Sequence, residues 1–241
     1  MPIWHHILGE NHWGEKMGIK QTNVQSFLEP ESVGFIYDTA RSFLKRHSNP
    51  ETLLAQLKDL FYGGEVQSCK ELIQLIIEEQ HSLSESGALF LLRAQIAFEQ
   101  SDDPMEYIDW VKQAQLCSQA HQDLDSWNKL IRAQKALKEA DYVSGQEVLE
   151  ALIIEGSSVS SLASYLLAHH LFWRNINTDR ALDLLEEVTN KKSHFVKAWA
   201  CLGFVYNKLQ YKDKAQFAFG QCIEFESNPE KLKFYKQQLA S

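Results

Sequence analysis

Residues 199–222 read WACLGFVYNKLQYKDKAQFAFGQC, and this stretch decides the fold. Its pattern of large and small side chains repeats one that lies 34 residues earlier in the chain. The recurring pairs are Tyr165 and Trp199, Phe172 and Tyr206, Ala181 and Ala215, and Leu185 and Phe219. A period of this length is typical of helix–turn–helix units. Because one such unit cannot bury its own apolar face, the pattern predicts a stack of units, an α-solenoid.

The order of residues within the second copy resembles the tetratricopeptide repeat (TPR). The motif residues are Trp199, Leu202, Gly203 and Tyr206, in the order W-x-x-L-G-x-x-Y, followed by Ala215, Phe219 and Cys222. The resemblance is closest over residues 162–228, continues with longer spacings over 50–155, and does not reach before 45. It implies an all-α fold, a right-handed α-solenoid of about five TPR-like helix pairs with a C-terminal capping helix.

Apolar stripes and turn residues divide the chain into segments. Residues 1–30 show no sustained period and are predicted to be an irregular N-terminal arm, and residues 31–241 a single helical-repeat domain. Helices are predicted at 31–46, in pairs over 50–80, 87–119, 126–155, 160–190 and 194–226, and at 229–240. An Asn or Asp followed by Pro, which suits a helix start, occurs at 49–50, 103–104 and 228–229.

Composition limits the classes of function. The chain has 24 Lys and Arg against 32 Asp and Glu, a formal charge of −8, which disfavours nucleic-acid binding. No apolar run is long enough for a transmembrane helix, and no secretory signal is visible at the N-terminus. The four cysteines lie far apart without C-x-x-C spacing, so we expect neither zinc nor disulfides, and a reducing, cytoplasmic location.

No set of residues predicts catalysis or a cofactor. Gly63-Gly64 lacks the Lys-Ser or Lys-Thr of a phosphate-binding loop, and the patterns H-E-x-x-H and G-x-S-x-G are missing. His5, His6 and His12 beside Glu10 could ligate a metal, but no ordered framework is predicted around them. We therefore expect no enzyme, no cofactor and no metal site.

The resemblance also implies where a partner binds, because the first helix of each TPR pair lines the concave wall. Carrying that rule onto this chain gives a predicted partner-binding groove of Lys58, Arg93, Ile96, Arg132, Lys135, His170, Arg174, Lys197, Phe204 and Lys208. Such a groove is basic and partly apolar, which suits an acidic or amphipathic peptide. The lysine and asparagine pattern with which TPR proteins clamp acidic chaperone tails is missing, so such a tail is not expected.

Three functions are compatible with these features. The first is a non-catalytic scaffold or adaptor that binds a peptide or helix of a partner protein, as a subunit of a larger complex. The second is a self-assembling structural subunit in which the groove of one copy takes the N-terminal arm of another, through Trp4 and Trp13. The third is a helical-repeat protein that binds single-stranded RNA, which the net charge disfavours.

Overall fold

The computed structural model describes residues 49–79, 82–117, 121–226 and 228–239. The predicted arm and the predicted helix at 31–46 lie outside these ranges. The described residues form eleven α-helices and no strand. The helices are α1 Pro50–Tyr62, α2 Val66–Glu78, α3 Gly87–Gln100, α4 Pro104–Leu116, α5 Leu124–Lys138, α6 Tyr142–Ile154, α7 Ser160–Trp173, α8 Thr178–Lys191, α9 Val196–Lys208, α10 Lys212–Phe225 and α11 Pro229–Leu239.

Consecutive helices pack as five pairs, α1/α2 to α9/α10, and α11 packs on α10. This arrangement confirms the predicted all-α repeat with a closing helix. The turns between the two helices of a pair are only a few residues long, which forces each pair to run antiparallel. The fold is therefore that of a TPR-like helical repeat.

The three Asn/Asp-Pro signals begin helices where the sequence predicts them. Asn49 Oδ1 accepts the backbone N–H of Glu51 at 2.9 Å, and Asn228 Oδ1 accepts that of Glu230 at 2.9 Å. Asp103 Oδ1 accepts the N–H of Met105 at 2.9 Å. Each cap satisfies a donor that the first helical turn leaves free, so local sequence fixes the boundaries of α1, α4 and α11.

A shared turn geometry extends the repeat further towards the N-terminus than the strict residue pattern does. Ala140, Asn175 and Gln210, which follow the first helices of the last three pairs, all adopt a left-handed backbone with φ of 65°, 57° and 64°. Gly64 takes this role in the first pair, with φ of 88°. The next N–H then bonds to a carbonyl five residues back, as from Ile176 to Leu171 at 2.9 Å, which ends the helix.

Gly203 lets α9 and α10 approach closely. A Cβ built on Gly203 would lie 2.8 Å from the ring of Phe219, whereas a Cβ on Gly220 would meet no atom within 4 Å. Both glycines lie inside helices. The TPR-like Gly is therefore required by packing and not by the helix itself.

This contrast gives a matched pair of substitutions. Gly203→Ala should lower the free energy of unfolding by about 1–3 kcal/mol, because the ring of Phe219 must shift. Gly220→Ala should raise it by about 0.5–1 kcal/mol, because alanine favours the helix and has space. Urea unfolding of both variants measures the difference. Equal effects of the two changes would contradict the close approach.

The two ends of the described fold touch each other. In a simple solenoid each unit contacts only its neighbours, but here the loop between α8 and α9 and the start of α9 reach α1 and α3. The Phe61 and His194 rings are 4.8 Å apart, and Lys197 Nζ donates to the carbonyl of Phe98 at 2.7 Å. Lys231 on α11 also pairs with Asp102 at 2.7 Å. The stack is thus curled, with α3 covered by both the first and the fifth pair.

A buried ionic network holds this closure. The carboxylate of Glu99 is fully buried and lies 2.6 Å from Lys192 Nζ and 3.2 Å from His194 Nε2. Gln95 Nε2 donates to the same carboxylate at 3.1 Å. Burial raises the pKa of Glu99, but the Lys192 charge and the His194 contact outweigh it, so that the pKa is lowered. Glu99 is therefore an anion whose ionic partners, Lys192 and His194, lie 93 or more positions away in sequence.

Candidate binding cavity

A cavity of about 710 Å³ lies inside the curl. Its wall comes mainly from the first helices of the second to fifth pairs, α3, α5, α7 and α9, and also from α11 and the start of α4. The inner helices thus differ from the TPR rule in two ways: α1 takes no part, and α4, a second helix, contributes Pro104 and Tyr107. Its size is in the range of cavities that bind ligands.

A row of aromatic rings lines the cavity from α7 to α9 and continues to Phe234 on α11, which lies outside the lining. Successive ring centroids are 5.9 Å apart from Tyr165 to His169, 6.0 Å to Trp173, 5.8 Å to Phe204 and 6.2 Å to Phe234. We call these five residues the aromatic row. Trp173, which lines the cavity, is 55% exposed. Its apolar surface is thus open to a ligand at the mouth of the cavity.

The charges around the row are unevenly compensated. Of the three acids that line the cavity, Glu99 and Asp102 are each paired with a lysine, and Glu226 accepts the backbone N–H of Asn228. Arg174, which lies 4.5 Å above the ring of Tyr142, has no described carboxylate at ion-pair distance, and neither has Lys138. Both line the cavity. Two cations without a described carboxylate partner therefore lie in the cavity wall.

The two neighbouring histidines add no charge at neutral pH. Burial, and then the neighbouring His170 and Lys197, lower the pKa of His169. Burial and the charge of Arg174 lower the pKa of His170. The Nε2 atom of His170 is buried without a hydrogen-bond partner in the described part of the chain. Both side chains line the cavity as neutral rings.

Lys197 has a structural role in the cavity wall, where it links two helices. Its ammonium donates to the carbonyls of Phe98 and Ser101 at the end of α3, where helix carbonyls lack partners. Burial, only partly offset by Asp102, lowers the pKa of Lys197 to about 8. The side chain therefore ties α9 to α3 and is not free to bind a ligand.

The lowered pKa of Lys197 predicts a pH dependence of stability. Between pH 8 and the ordinary pKa of 10.5, the unfolded chain holds a proton that the folded one has lost, so stability rises with pH. Relative to Lys197→Met, the wild-type free energy of unfolding should gain up to about 1.4 kcal/mol per pH unit there. Unfolding at several pH values measures this gain. Three buried cysteines also have pKa values raised to about 12, but they are present in both proteins, so their effect on the comparison cancels. A difference in free energy of unfolding between the two proteins that does not change with pH would contradict the prediction.

The structure brings together four of the ten predicted groove residues. His170, Arg174, Lys197 and Phe204 all line the cavity. Lys58, Arg93, Ile96, Arg132, Lys135 and Lys208 do not line it. That the four bind a partner stays a prediction.

The remaining predicted residues have other surroundings. Ile96 is fully buried, because α3 has no free face between α1 and α9. Arg93 lies over the ring of Trp110 at 5.4 Å, and Lys135 pairs with Glu139 at 3.7 Å. Lys208 donates to Asn175 in the turn before α8 and to Thr178 at the start of α8. Lys58 and Arg132 are exposed on α1 and α5, away from the cavity.

Sequence reasoning missed Trp173, the most exposed aromatic residue of the cavity wall. Trp173 ends an apolar helix and reads there as a core residue, yet more than half of it is exposed. His169 and Lys231 also line the cavity. The available signal was the position of Trp173 in the last turn of a first helix, one residue before Arg174.

The described ranges offer no sign of a metal site or a membrane span. Nowhere in them do three or more His, Cys, Asp or Glu side chains form a metal-binding group. None of their helices combines the length and the apolar character needed to cross a bilayer. The candidate metal ligands His5, His6 and His12 lie outside the described residues.

Comparison with known proteins gives distant structural similarity only. No protein-family model matches the chain, and no curated protein matches it in sequence. YrrB, described as a TPR protein with an unusual peptide-binding site, is 13% identical, covering 82% of this chain and 96% of that chain, with a TM-score of 0.40. MamA is 15% identical over 78% of this chain and 96% of that chain, with a TM-score of 0.37.

The TPR domain of P58(IPK) is 15% identical, covering 86% of this chain and 62% of that chain, with a TM-score of 0.41. Because these TM-scores are low, the fold is assigned from the helix pairs of the chain itself. Those pairs, their shared turns and the Gly203–Phe219 contact define the class: a TPR-like helical-repeat protein with an internal cavity.

Proposed function

We propose that this chain is a non-catalytic protein-interaction module, a scaffold or adaptor within a larger complex. Its cavity binds a peptide or a helix of a partner protein. The observation that carries the proposal is the aromatic row, of which Trp173 is 55% exposed at the cavity mouth. Tryptophan and arginine are the residue types most enriched among energetically dominant interface residues, and Arg174 follows Trp173 directly.

The wall around this anchor supports a binding role. His170 and Phe204 belong to helices that pack tightly on their neighbours, so the cavity is preformed and binding costs little ordering entropy. Phe204 itself lies 5.4 Å from the buried ring of Phe219. A partner side chain that covers Trp173 and Phe204 removes apolar area from water without moving the helices.

A reducing cytoplasm is part of the proposal. All four cysteines are free, and Cys69, Cys201 and Cys222 are buried. Buried thiols without disulfide partners are typical of intracellular proteins. RNA binding is less favoured, because the acids Glu99 and Asp102 line the same cavity as the cations.

Selection from a phage-displayed library of random peptides tests the proposal. The wild-type chain should enrich peptides that share an apolar or aromatic position. Trp173→Ala should weaken the binding of an enriched peptide at least about 30-fold, as expected for a central interface residue worth about 2 kcal/mol. Fluorescence anisotropy of the labelled peptide measures the affinity.

Phe217→Ala is the matched control, since Phe217 is 61% exposed but does not line the cavity. It should leave the affinity unchanged. Selected peptides that bind Trp173→Ala as tightly as the wild type would place the interaction elsewhere and remove the support for the cavity.

A further inference from the structure

We infer that the partner segment presents an acidic side chain, Asp or Glu, whose carboxylate binds the guanidinium of Arg174 beside an apolar side chain that covers Trp173. The inference rests on the proposed function, because it names the chemistry of the partner that the same cavity takes. Two features of Arg174 support it: the guanidinium is held in place by its surroundings, and its N–H donors have no described partner.

One face of the Arg174 guanidinium is fixed by stacking. It lies 4.5 Å above the ring of Tyr142, and that ring lies 5.1 Å from the buried ring of His170. Tyr142 begins α6, whereas Arg174 caps the C-terminal end of α7, so the stack joins two neighbouring helix pairs. A guanidinium that is already held in this way loses little conformational entropy when it binds a ligand.

The edge of the same guanidinium is available to a ligand. Arg174 is exposed and lines the cavity, and its side chain has no hydrogen bond or ion pair to any described residue. Stacking on Tyr142 uses the flat face and leaves the five N–H donors at the edge, where a carboxylate can accept two of them. Lys138, the second cation of the wall without a described carboxylate partner, adds to the attraction of an acid.

The other described arginines do not offer such a site. Arg180 pairs with Glu150 at 3.6 Å, and Arg93 and Arg132 do not line the cavity. The net charge of the chain is −8, so the protein as a whole does not attract acidic peptides. Recognition of an acid in the cavity therefore depends on the local contact with Arg174.

The position of Trp173 sets the spacing of the partner residues. Trp173 and Arg174 are consecutive, so their Cα atoms are about 3.8 Å apart, and both side chains are exposed in the cavity wall. The acidic and the apolar side chain of the partner must therefore also be close together. They lie next to each other in an extended peptide, or three to four residues apart on one face of a helix.

Selection from phage-displayed random peptides, joined to the coat protein by their C-termini so that no free C-terminal carboxylate is present, tests the inference. Peptides enriched by the wild type should carry an Asp or Glu within about four residues of an apolar or aromatic position. Arg174→Glu should enrich Lys or Arg at that place instead, because the charge in the wall is reversed.

Fluorescence anisotropy then compares one enriched peptide, synthesised as the C-terminal amide, with a copy in which Gln or Asn replaces the acid. The wild type should bind the acidic form at least about 10-fold more tightly, as expected for hydrogen bonds between charged groups. Arg174→Gln should bind the two forms equally. Arg180→Gln is the matched control, because it removes the same charge from an arginine outside the cavity, and it should keep the wild-type preference.

Two results would overturn the inference while the proposed function stands. In the first, the enriched peptides depend on Trp173 but share no acidic position. In the second, replacing the acid weakens binding to the wild type and to Arg174→Gln by the same factor. Enriched peptides that bind Trp173→Ala as tightly as the wild type would instead remove the proposed function, and this inference with it.

Discussion

Lys192→Met should destabilise the protein by about 3–5 kcal/mol, because it leaves the buried carboxylate of Glu99 without its ammonium partner. The two charged atoms are 2.6 Å apart, and both side chains are almost fully shielded from water. Removing one member of a buried pair costs far more than the pair itself contributes, since the remaining charge is poorly solvated. Equilibrium unfolding in urea at neutral pH measures the loss.

The neighbouring residue provides the control for this prediction. Lys191 also pairs with a glutamate at 2.6 Å, but its side chain is 60% exposed, so Lys191→Met should cost no more than about 0.5 kcal/mol. Adding Glu99→Gln to Lys192→Met should recover part of the stability, because the buried charge is gone. Equal losses in the Lys191 and Lys192 variants would show that the network does not hold the curl together.

Phe219→Ala should cost about 3–5 kcal/mol, the second large effect. Phe219 is fully buried where α9 and α10 cross, against Gly203 and the ring of Phe204. Truncation to alanine removes the transfer free energy of the ring and leaves a cavity that the two helices fill only partly. Thermal and urea unfolding both report the loss.

Phe217→Ala, two residues away on the same helix, is the comparison. Phe217 is 61% exposed and touches the edge of Trp199 with centroids 5.8 Å apart, so its removal should cost less than about 1 kcal/mol. The test is which of the two variants loses more stability. A larger loss for Phe217→Ala than for Phe219→Ala would contradict the burial of Phe219 between α9 and α10.

Local signals explain why the helix pairs could be predicted from sequence. Asn49, Asp103 and Asn228 each cap a helix whatever the rest of the chain does, so boundaries follow from a few neighbouring residues. The repeated pattern around Gly203 and Phe219 describes the contact between two helices that are adjacent in sequence. Each of these features can therefore be predicted from a short stretch of sequence, without knowledge of the rest of the fold.

Closure of the fold could not be predicted in the same way. Glu99 and Lys192 are 93 residues apart, and no local feature separates them from the many exposed charges of the chain. Which charge becomes buried depends on the total curvature of the five helix pairs. That curvature also places helices on both sides of α3, so Ile96 is a core residue although the TPR rule places it in the groove.

The lining of the cavity was predictable in part for related reasons. The rule that first helices line the concave wall places His170, Arg174, Lys197 and Phe204 together, and all four line one cavity. It could not show that Lys197 is engaged by helix carbonyls, because those belong to α3. Nor could it show that Trp173 projects from the wall, since exposure at a helix end depends on where the next pair lies.

Photocrosslinking from the two sides of the fold tests the cavity as a binding site most directly. Benzoylphenylalanine is placed at position 173, in the cavity, or at position 217, on the outer face, and each protein is irradiated with a library-selected peptide. We predict a crosslinked peptide from position 173 and none from 217. Crosslinking from position 217 alone would contradict the binding role of the cavity, because the partner would then contact the outer surface of the helix pairs.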